Sequence, residues 1–231
     1  MVRKDLVTQG VDRMLDGIAG GDFVVGQAFP AEADLAAYLE VSRPTMREVI
    51  RILADRGIVE VKHGRGTFLV PQSQWRSVET LVGMVSRSMG EREVGDHLVE
   101  IRRMIEVGSC GHAAARATKE DVAEMRRQVE RYEAASEAGI ASECRDADMA
   151  FHQQIFLSTR NPFLTAIIQP LNTALSASRE LTSSIPEVRE RAAWHHRQIL
   201  SAIEAGDEEG AKNAMRAHMD QTSGEIDKFL E

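Results

Sequence analysis

The sequence predicts a mainly α-helical protein of two domains: three helices and a β-hairpin, followed by an all-α antiparallel helical bundle. The chain has 231 residues, which exceeds the roughly 100 to 200 residues of one common domain. β-rich runs are confined to residues 58–70, and apolar residues recur at helical spacing after residue 77. Apolar residues make up 43% and charged residues 28% of the chain, as in folded rather than disordered proteins.

Two helices are predicted before residue 40. The first ends at Gly20-Gly21, because glycine disfavours continuation of a helix. The second covers residues 31–39, with Leu35 and Leu39 facing inward. The inward side of the first helix consists of apolar residues at helical spacing: Val7, Val11, Met14, Leu15 and Ile18.

A third helix has signals at both ends. Ser42 is a favourable N-cap, Pro44 fits the first turn, where its missing N–H costs nothing, and Gly57 ends the helix. Arg47 and Arg51 face away from the core, so the helix exposes a basic side. Its buried stripe is Met46, Val49, Ile50 and Leu53.

A hairpin and a linker follow the third helix. The β-rich runs 58–61 and 67–70 flank residues 62–66, which contain two glycines and basic side chains. The polar segment that begins at Pro71 ends the strand pattern. We therefore predict domains at residues 1–71 and 78–231, joined by a linker at residues 72–77.

Three helices and a hairpin are the parts of a winged helix-turn-helix, whose third helix enters the DNA major groove. The net charge of -8 disfavours general binding to nucleic acid, but residues 42–65 carry a basic excess. Hydroxyls and the helix N-terminus suit phosphates, arginines suit phosphates or guanine edges, and the hairpin tip suits backbone or minor groove. A merely solvated basic face is the alternative. The predicted DNA contacts are Ser42, Arg43, Thr45, Arg47, His63 and Gly64.

The second domain has polar side chains on apolar helix stripes. Asp148 and His152 lie four residues apart and therefore share one helix face, and His196 and His218 lie among apolar residues. Burying four such groups unpaired is costly, whereas one divalent cation satisfies them all. Aspartate and histidine without thiolate suit zinc first, and also nickel, cobalt or manganese. Hydrogen-bonded core histidines are the alternative, and His195 is a rival to His196.

Arg102 predicts a buried anionic partner for its guanidinium within the same helical bundle. It lies on the apolar stripe of Leu98, Ile101 and Ile105, where an unpaired guanidinium is costly. A ligand carboxylate and Glu106, one turn along the helix, are the two candidate partners. After Asn161-Pro162, Asn172 and Arg179 are weaker candidates for a ligand pocket, and a surface role is favoured for Arg179.

Several other classes of protein are disfavoured. No apolar run approaches the roughly 18 residues of a membrane span, so we expect a cytoplasmic protein without a membrane partner. Cys110 and Cys144 lack the spacing of a disulfide framework.

A metal-dependent hydrolase is the main rival function, since a bound ion activates water. An adjacent His-Asp pair and a spare buried carboxylate as general base are not apparent, so we expect no enzyme.

The N-terminal motifs resemble the GntR family of regulators over about residues 5–70. The resemblance is carried by Pro30-Ala31-Glu32-Ala33-Asp34-Leu35-Ala36, by residues 41–49, by Gly57-Ile58-Val59-Glu60 and by Gly64-Arg65-Gly66-Thr67-Phe68. It implies DNA contacts at the positions given above. Some relatives of the FadR type have arginine where this chain has Ala33, so that contact is missing here.

The C-terminal motifs look like the FCD ligand-binding domain of FadR-type GntR regulators, over about residues 78–225. They are Asp148-x-x-x-His152, the segment from His196 to Asp207, and Ala214-Met215-x-x-His218. The resemblance implies His196 rather than His195 as a metal ligand and Arg102 as the effector-binding arginine. It also implies a homodimeric repressor that leaves a short palindromic operator when a small carboxylate, such as a sugar acid or another hydroxy acid, binds. A purely structural metal is the alternative.

Overall fold

The computed structural model describes residues 3–229, apart from the side chains of residues 3–5, 172, 173, 177, 178 and 181. The chain is 77% helical, and the predicted order of N-terminal helices, antiparallel hairpin and helical bundle is confirmed. It divides into two compact units, Met1–Met89 and Gly90–Glu231. None of the described helices is both long and apolar enough to cross a membrane.

The first unit contains the predicted three helices and hairpin. Its strands are antiparallel, with Val59 opposite Leu69 and Lys62 opposite Gly66. Its core is apolar and joins all of these elements, including Met14 of the first helix and Met46 of the third, both fully buried. The elements are α1 (Arg3–Ala19), α2 (Glu32–Tyr38), α3 (Arg43–Asp55), β1 (Val59–Lys62), β2 (Gly66–Leu69) and α4 (Val78–Arg87).

The ends of α3 follow the sequence signals. The Ser42 side chain accepts a hydrogen bond from the Thr45 backbone N–H at 3.3 Å, which satisfies one of the free N–H groups of the first turn. Gly57 has φ 74°, a left-handed conformation that glycine adopts at little cost after a helix end. These two residues therefore set the start of α3 and its exit into β1.

The segment predicted as a linker is folded in the first unit. It forms a short 3-10 helix at Gln72–Gln74. The Trp75 side chain is buried, and its Nε1 donates to the Val70 carbonyl at 3.1 Å. The Arg76 N–H donates to the Arg56 carbonyl at 2.8 Å. Polar composition alone did not indicate this, because only one residue of the segment, Trp75, is buried in the core.

Helix α4 also belongs to the first unit, although its residues lie within the predicted second domain. Arg87 near its end pairs with Asp12 at 3.0 Å and with Asp16 at 2.7 Å, both on α1. The two compact units divide after Met89. Functional boundaries at residues 71 and 78 remain a prediction.

The second unit is a bundle of seven helices in the described part of the chain. Helix α5 packs on α7 and α11, α10 packs on α6 and α11, and α7 packs on α6 and α9. The helices are α5 (Glu91–Arg116), α6 (Lys119–Ala138), α7 (Ala141–Ser158), α8 (Pro162–Ile168), α9 (Asn172–Ser183), α10 (Pro186–Glu204) and α11 (Glu208–Phe229).

The inward side of α5 differs from the predicted stripe. Ile101 is 39% exposed, whereas Leu98, Arg102 and Glu106 are buried. The helix is thus rotated so that its charged pair faces the bundle interior. Hydrophobic periodicity alone cannot predict this, because the charged pair is stabilised by partners on other helices.

Candidate metal and effector site

The structure brings together the four residues predicted as metal ligands. Asp148 and His152 come from α7, His196 from α10 and His218 from α11, and all four are buried. Their potential ligand atoms lie within 4.8 Å of one another. Asp148 Oδ1 lies 3.1 Å from His196 Nε2 and 3.6 Å from His152 Nε2. Side chains from three helices therefore converge on one point inside the bundle.

His218 has a nitrogen without a partner at this point. Its Nε2 is buried and has no hydrogen-bond partner in the described part of the chain. Its Nδ1 lies 3.2 Å from Gln221 Oε1, which accepts a hydrogen bond when Nδ1 carries the proton. That tautomer leaves the Nε2 lone pair directed at the cluster, as a metal ligand requires.

Glu106 lies next to the other ring nitrogen of His152. Its Oε2 lies 2.5 Å from His152 Nδ1. A proton on Nδ1, the ring nitrogen next to this carboxylate, leaves the Nε2 lone pair facing Asp148. A carboxylate behind a ligating imidazole is a common second partner of metal-binding histidines, because it fixes the tautomer and the ring orientation.

The protonation states suit metal binding. Burial lowers the pKa of His196 and lowers that of His218 well below its ordinary value, so both imidazoles are neutral near pH 7. Burial alone would raise the pKa of Asp148, but Arg179 and then His152 hold it well below its usual range. The cluster therefore offers neutral imidazoles at His196 and His218 and an ionised carboxylate at Asp148, the forms that bind metal ions.

The four residues fit a divalent ion. Bonds of about 2.0 to 2.2 Å from imidazole and carboxylate to a first-row ion require only small side-chain movements from the observed spacing. Imidazole and carboxylate donors suit several ions of this row.

Two buried arginines adjoin the cluster. Arg102 Nε donates to Glu106 Oε1 at 2.7 Å, and its Nη2 lies 3.4 Å from His152 Nε2. Arg179 Nε lies 2.5 Å from Asp148 Oδ2, and its Nη2 lies 3.9 Å from Glu106 Oε1. In this structure Glu106 is thus the anion that Arg102 was predicted to need.

The predicted surface role of Arg179 is wrong. The residue is 7% exposed and its guanidinium faces the metal cluster. The sequence contained a signal, since Arg179 lies one helical turn beyond the buried Leu175 and continues the inward side of α9. Its partner Asp148 is distant in sequence, however, and spacing within one helix does not reveal it.

A small cavity of about 40 Å³ opens beside the cluster. It has charged groups of the cluster on its wall and hydroxyl, amide, apolar and carboxylate groups on the rest. The side chain of Asn172, also predicted here, is outside the described residues. The lining residues are Arg102, Tyr132, Asp148, Arg179, Thr182, Ser183, Val188, Ala192, His218, Gln221, Thr222 and Glu225.

His195 does not belong to the cluster of four ligands. It is only half-buried, and its ring centroid lies 5.7 Å from that of His218. His196 is fully buried and has a nitrogen 3.1 Å from Asp148. Of the two neighbours, His196 is therefore the one placed to bind a metal ion.

Most of the predicted DNA contacts are on the surface of the first unit. Ser42, Arg43, His63 and Gly64 are exposed. The Arg47 side chain is 71% exposed and pairs with Glu32 at 2.9 Å, a surface ion pair of small energetic value. Arg47 is therefore free to exchange this partner for a phosphate or a base.

Thr45 differs from the expectation of an exposed phosphate contact. Its side chain is buried, and its hydroxyl lies 2.7 Å from the Ser42 hydroxyl. The structure thus places Thr45 in the cap of α3, while a direct contact between its hydroxyl and DNA remains a prediction.

Comparison with protein families accounts for both units. Residues 7–69 match the model described as "Bacterial regulatory proteins, gntR family", and residues 97–221 match the FCD domain. The chain belongs to the GntR family. The resemblance found in the sequence is thereby confirmed, and this GntR protein is a transcription regulator and not an enzyme. The hydrolase interpretation is therefore wrong.

Relatives of this GntR protein are regulators in Escherichia coli (strain K12). It is 30% identical to the Uxu operon transcriptional regulator over 213 residues, which cover 88% of this chain and 80% of the relative. It is 28% identical to the galactonate operon transcriptional repressor over 199 residues, covering 85% and 86%.

A solved structure has the same fold. Streptococcus agalactiae GntR superposes with a TM-score of 0.56 at 26% identity, covering 94% of this chain and 99% of the other.

Proposed function

We propose that this GntR regulator is a cytoplasmic homodimeric repressor that leaves a short palindromic operator when a small carboxylate binds beside a divalent metal ion. The observation that carries the proposal is the buried group of three imidazoles and one carboxylate next to a cavity with two arginines. We propose zinc first, and nickel, cobalt or manganese as the other ions that suit these donors. The name of the galactonate repressor supports a sugar acid or a related hydroxy acid.

The charge balance of the site supports an anionic effector. Arg102 and Arg179 are balanced by Glu106 and Asp148, and the histidines add no charge when neutral. A divalent ion therefore leaves the buried site with two uncompensated positive charges. Because uncompensated buried charge is costly, the metal-loaded site favours an anion, and a carboxylate suits both the ion and an arginine. Arg102 is the arginine that we assign to the effector.

The small size of the cavity supports coupling between effector binding and the conformation of the second unit. About 40 Å³ holds only about three water molecules. An acid larger than about three water molecules therefore displaces lining side chains on α9 and α11. Such an acid binds one arrangement of the second unit better than another, which is the requirement for a ligand to shift an equilibrium.

The exposed basic residues of α3 and of the hairpin support DNA binding by the first unit. Arg43 and Arg47 are assigned to phosphates or guanine edges, and His63 and Gly64 to the backbone or minor groove. Two copies of this unit in a dimer match two half-sites, which is why we propose a palindromic operator.

Selection of operators from a random duplex library by the purified zinc-loaded protein tests this function. Fluorescence anisotropy then measures release of the selected duplex by gluconate, galactonate, glucuronate and lactate, with and without a chelator. Arg47→Ala should weaken operator binding by about 1 to 3 kcal/mol while leaving acid affinity unchanged. Failure to enrich any duplex would contradict the DNA assignment.

The Arg102→Ala variant tests the sensing site. It should bind the operator normally and fail to release it, because the acid loses its guanidinium partner. Release by the same acid concentration as in the wild type would contradict the role of Arg102. A purely structural metal predicts instead that chelation lowers the melting temperature and leaves acid affinity unchanged after correction for unfolding.

A further inference from the structure

Glu225 lines the cavity and has one buried carboxylate oxygen without a hydrogen-bond partner among the described residues. The residue is on α11, is 5% exposed and lines the cavity. Its Oε1 lies 2.5 Å from Arg191 Nε. Its Oε2 is buried and has no hydrogen-bond partner among the described residues. Arg191 pairs with the other oxygen of this carboxylate, so Oε2 is available to a hydrogen-bond donor of a ligand that displaces the lining side chains.

The position of Glu225 separates it from the metal cluster. It follows His218 by seven residues, which is two turns of α11 and about 10 Å along the helix axis. Both residues line the same cavity. For a ligand whose carboxylate lies at His218 and Arg102, we therefore place the opposite end near Glu225.

The chemistry of a carboxylate defines what that opposite end must be. An ionised carboxylate only accepts hydrogen bonds. A hydroxyl group donates one, an alkyl group offers none, and a second carboxylate is itself an acceptor. The hydroxyl-bearing residues Tyr132, Thr182, Ser183 and Thr222 also line the cavity and are polar neighbours for a polyhydroxy chain.

We infer that Glu225 determines effector specificity: it selects acids with a hydroxyl group at the end remote from the bound carboxylate and rejects acids with a second carboxylate there. This inference rests on the proposed function, and it adds the chemical class of the effector and the residue that recognises it. Expected effectors are monocarboxylic sugar acids rather than dicarboxylic ones.

Matched pairs of six-carbon acids test the inference on the full-length zinc-loaded protein. Calorimetric titration with gluconate and glucarate, and with galactonate and galactarate, compares a terminal CH₂OH with a carboxylate on the same chain. The wild type should bind the monocarboxylate more tightly in at least one pair. Glu225→Gln supplies an amide donor, so the affinity ratio should move toward the dicarboxylate by about 10- to 100-fold, the loss of a hydrogen bond to a charged group.

Asp227→Asn is the matched control. It removes the same charge from the same helix at an exposed position and should leave the ratio unchanged. A purely structural role of Glu225 predicts that Glu225→Gln weakens both acids of a pair equally. That result, or an unchanged ratio with zinc-dependent binding intact, overturns the inference and leaves the proposed function standing.

A measurement on the wild type makes the test independent of whether the variant folds. Removal of the terminal hydroxyl, as in 6-deoxygalactonate or 6-deoxygluconate, should weaken binding by about 10- to 100-fold. A change of less than twofold for both overturns the inference. If none of these acids binds in a zinc-dependent way, the inference is overturned, and if lactate and glucuronate also fail, the proposed effector class is overturned with it.

Discussion

At the level of single residues, the neutral state of His218 links the metal site to the pH dependence of stability. Burial lowers the pKa of its imidazole, and His196, His152 and Arg102 lower it further. The pKa of His196 is lowered as well, chiefly by burial. An unfolded chain binds protons at these histidines near pH 6.5, whereas the folded chain does not. The unfolded state therefore gains protons first as the pH falls.

The free energy of unfolding of the metal-free protein should consequently fall as the pH drops below about 6.5, by up to about 1.4 kcal/mol per pH unit for each such histidine. The carboxylates of Asp148 and Glu106, whose pKa values are lowered, contribute a separate loss only below about pH 4.5. Urea unfolding in the presence of a chelator between pH 5 and 7 measures the slope of the free energy of unfolding against pH. His218→Gln should reduce it, whereas His112→Gln, at an exposed position, should not. Equal slopes in all three proteins would contradict this account.

The sequence predicted the metal residues better than their charged neighbours. Asp148 and His152 share a helix face by spacing alone, and the structure brings His196 and His218 to the same point. The contacts of Arg179 with Asp148 and of Glu225 with Arg191 join different helices. Such contacts depend on how the helices pack, and periodicity within one segment carries no information about them.

At the level of elements, the buried Trp75 side chain joins the predicted linker to the core of the first unit. The helices and strands of the first unit were predictable because caps, glycines and apolar stripes are local signals. The fate of residues 71–77 was not, because it depends on one aromatic side chain docking on a preformed core. Trp194, in the second unit, is 53% exposed and therefore buries less of its side chain than Trp75 does.

Trp75→Ala should therefore destabilise the first unit by about 3 to 5 kcal/mol, the usual cost of removing a buried tryptophan. Hydrogen exchange followed by mass spectrometry measures this as faster exchange of the α3 amides. Trp194→Ala is the control and should change stability by no more than about 0.5 kcal/mol. Unchanged protection of α3 in the Trp75 variant would show that the segment does not stabilise this unit.

At the level of the whole molecule, the chain combines a DNA-binding family domain with an FCD domain. The proposed repressor works only if binding at one domain changes affinity at the other. Such coupling is a free energy shared by two ligands, and thermodynamics requires that it act equally in both directions. An acid that drives the protein off its operator must therefore bind more weakly to the operator complex than to the free protein.

The final prediction is this reciprocity. If a saturating acid weakens operator affinity tenfold, saturating operator should weaken acid affinity tenfold, and couplings of about 5- to 150-fold are usual. Anisotropy of labelled operator gives the first factor, and calorimetric titration of acid into protein with and without operator gives the second. The Arg47→Ala variant is the control. At duplex concentrations too low for this variant to bind the operator, its acid affinity should be the same with and without duplex. Acid affinity that is indifferent to bound operator, together with acid-induced release, would contradict linkage between the two domains.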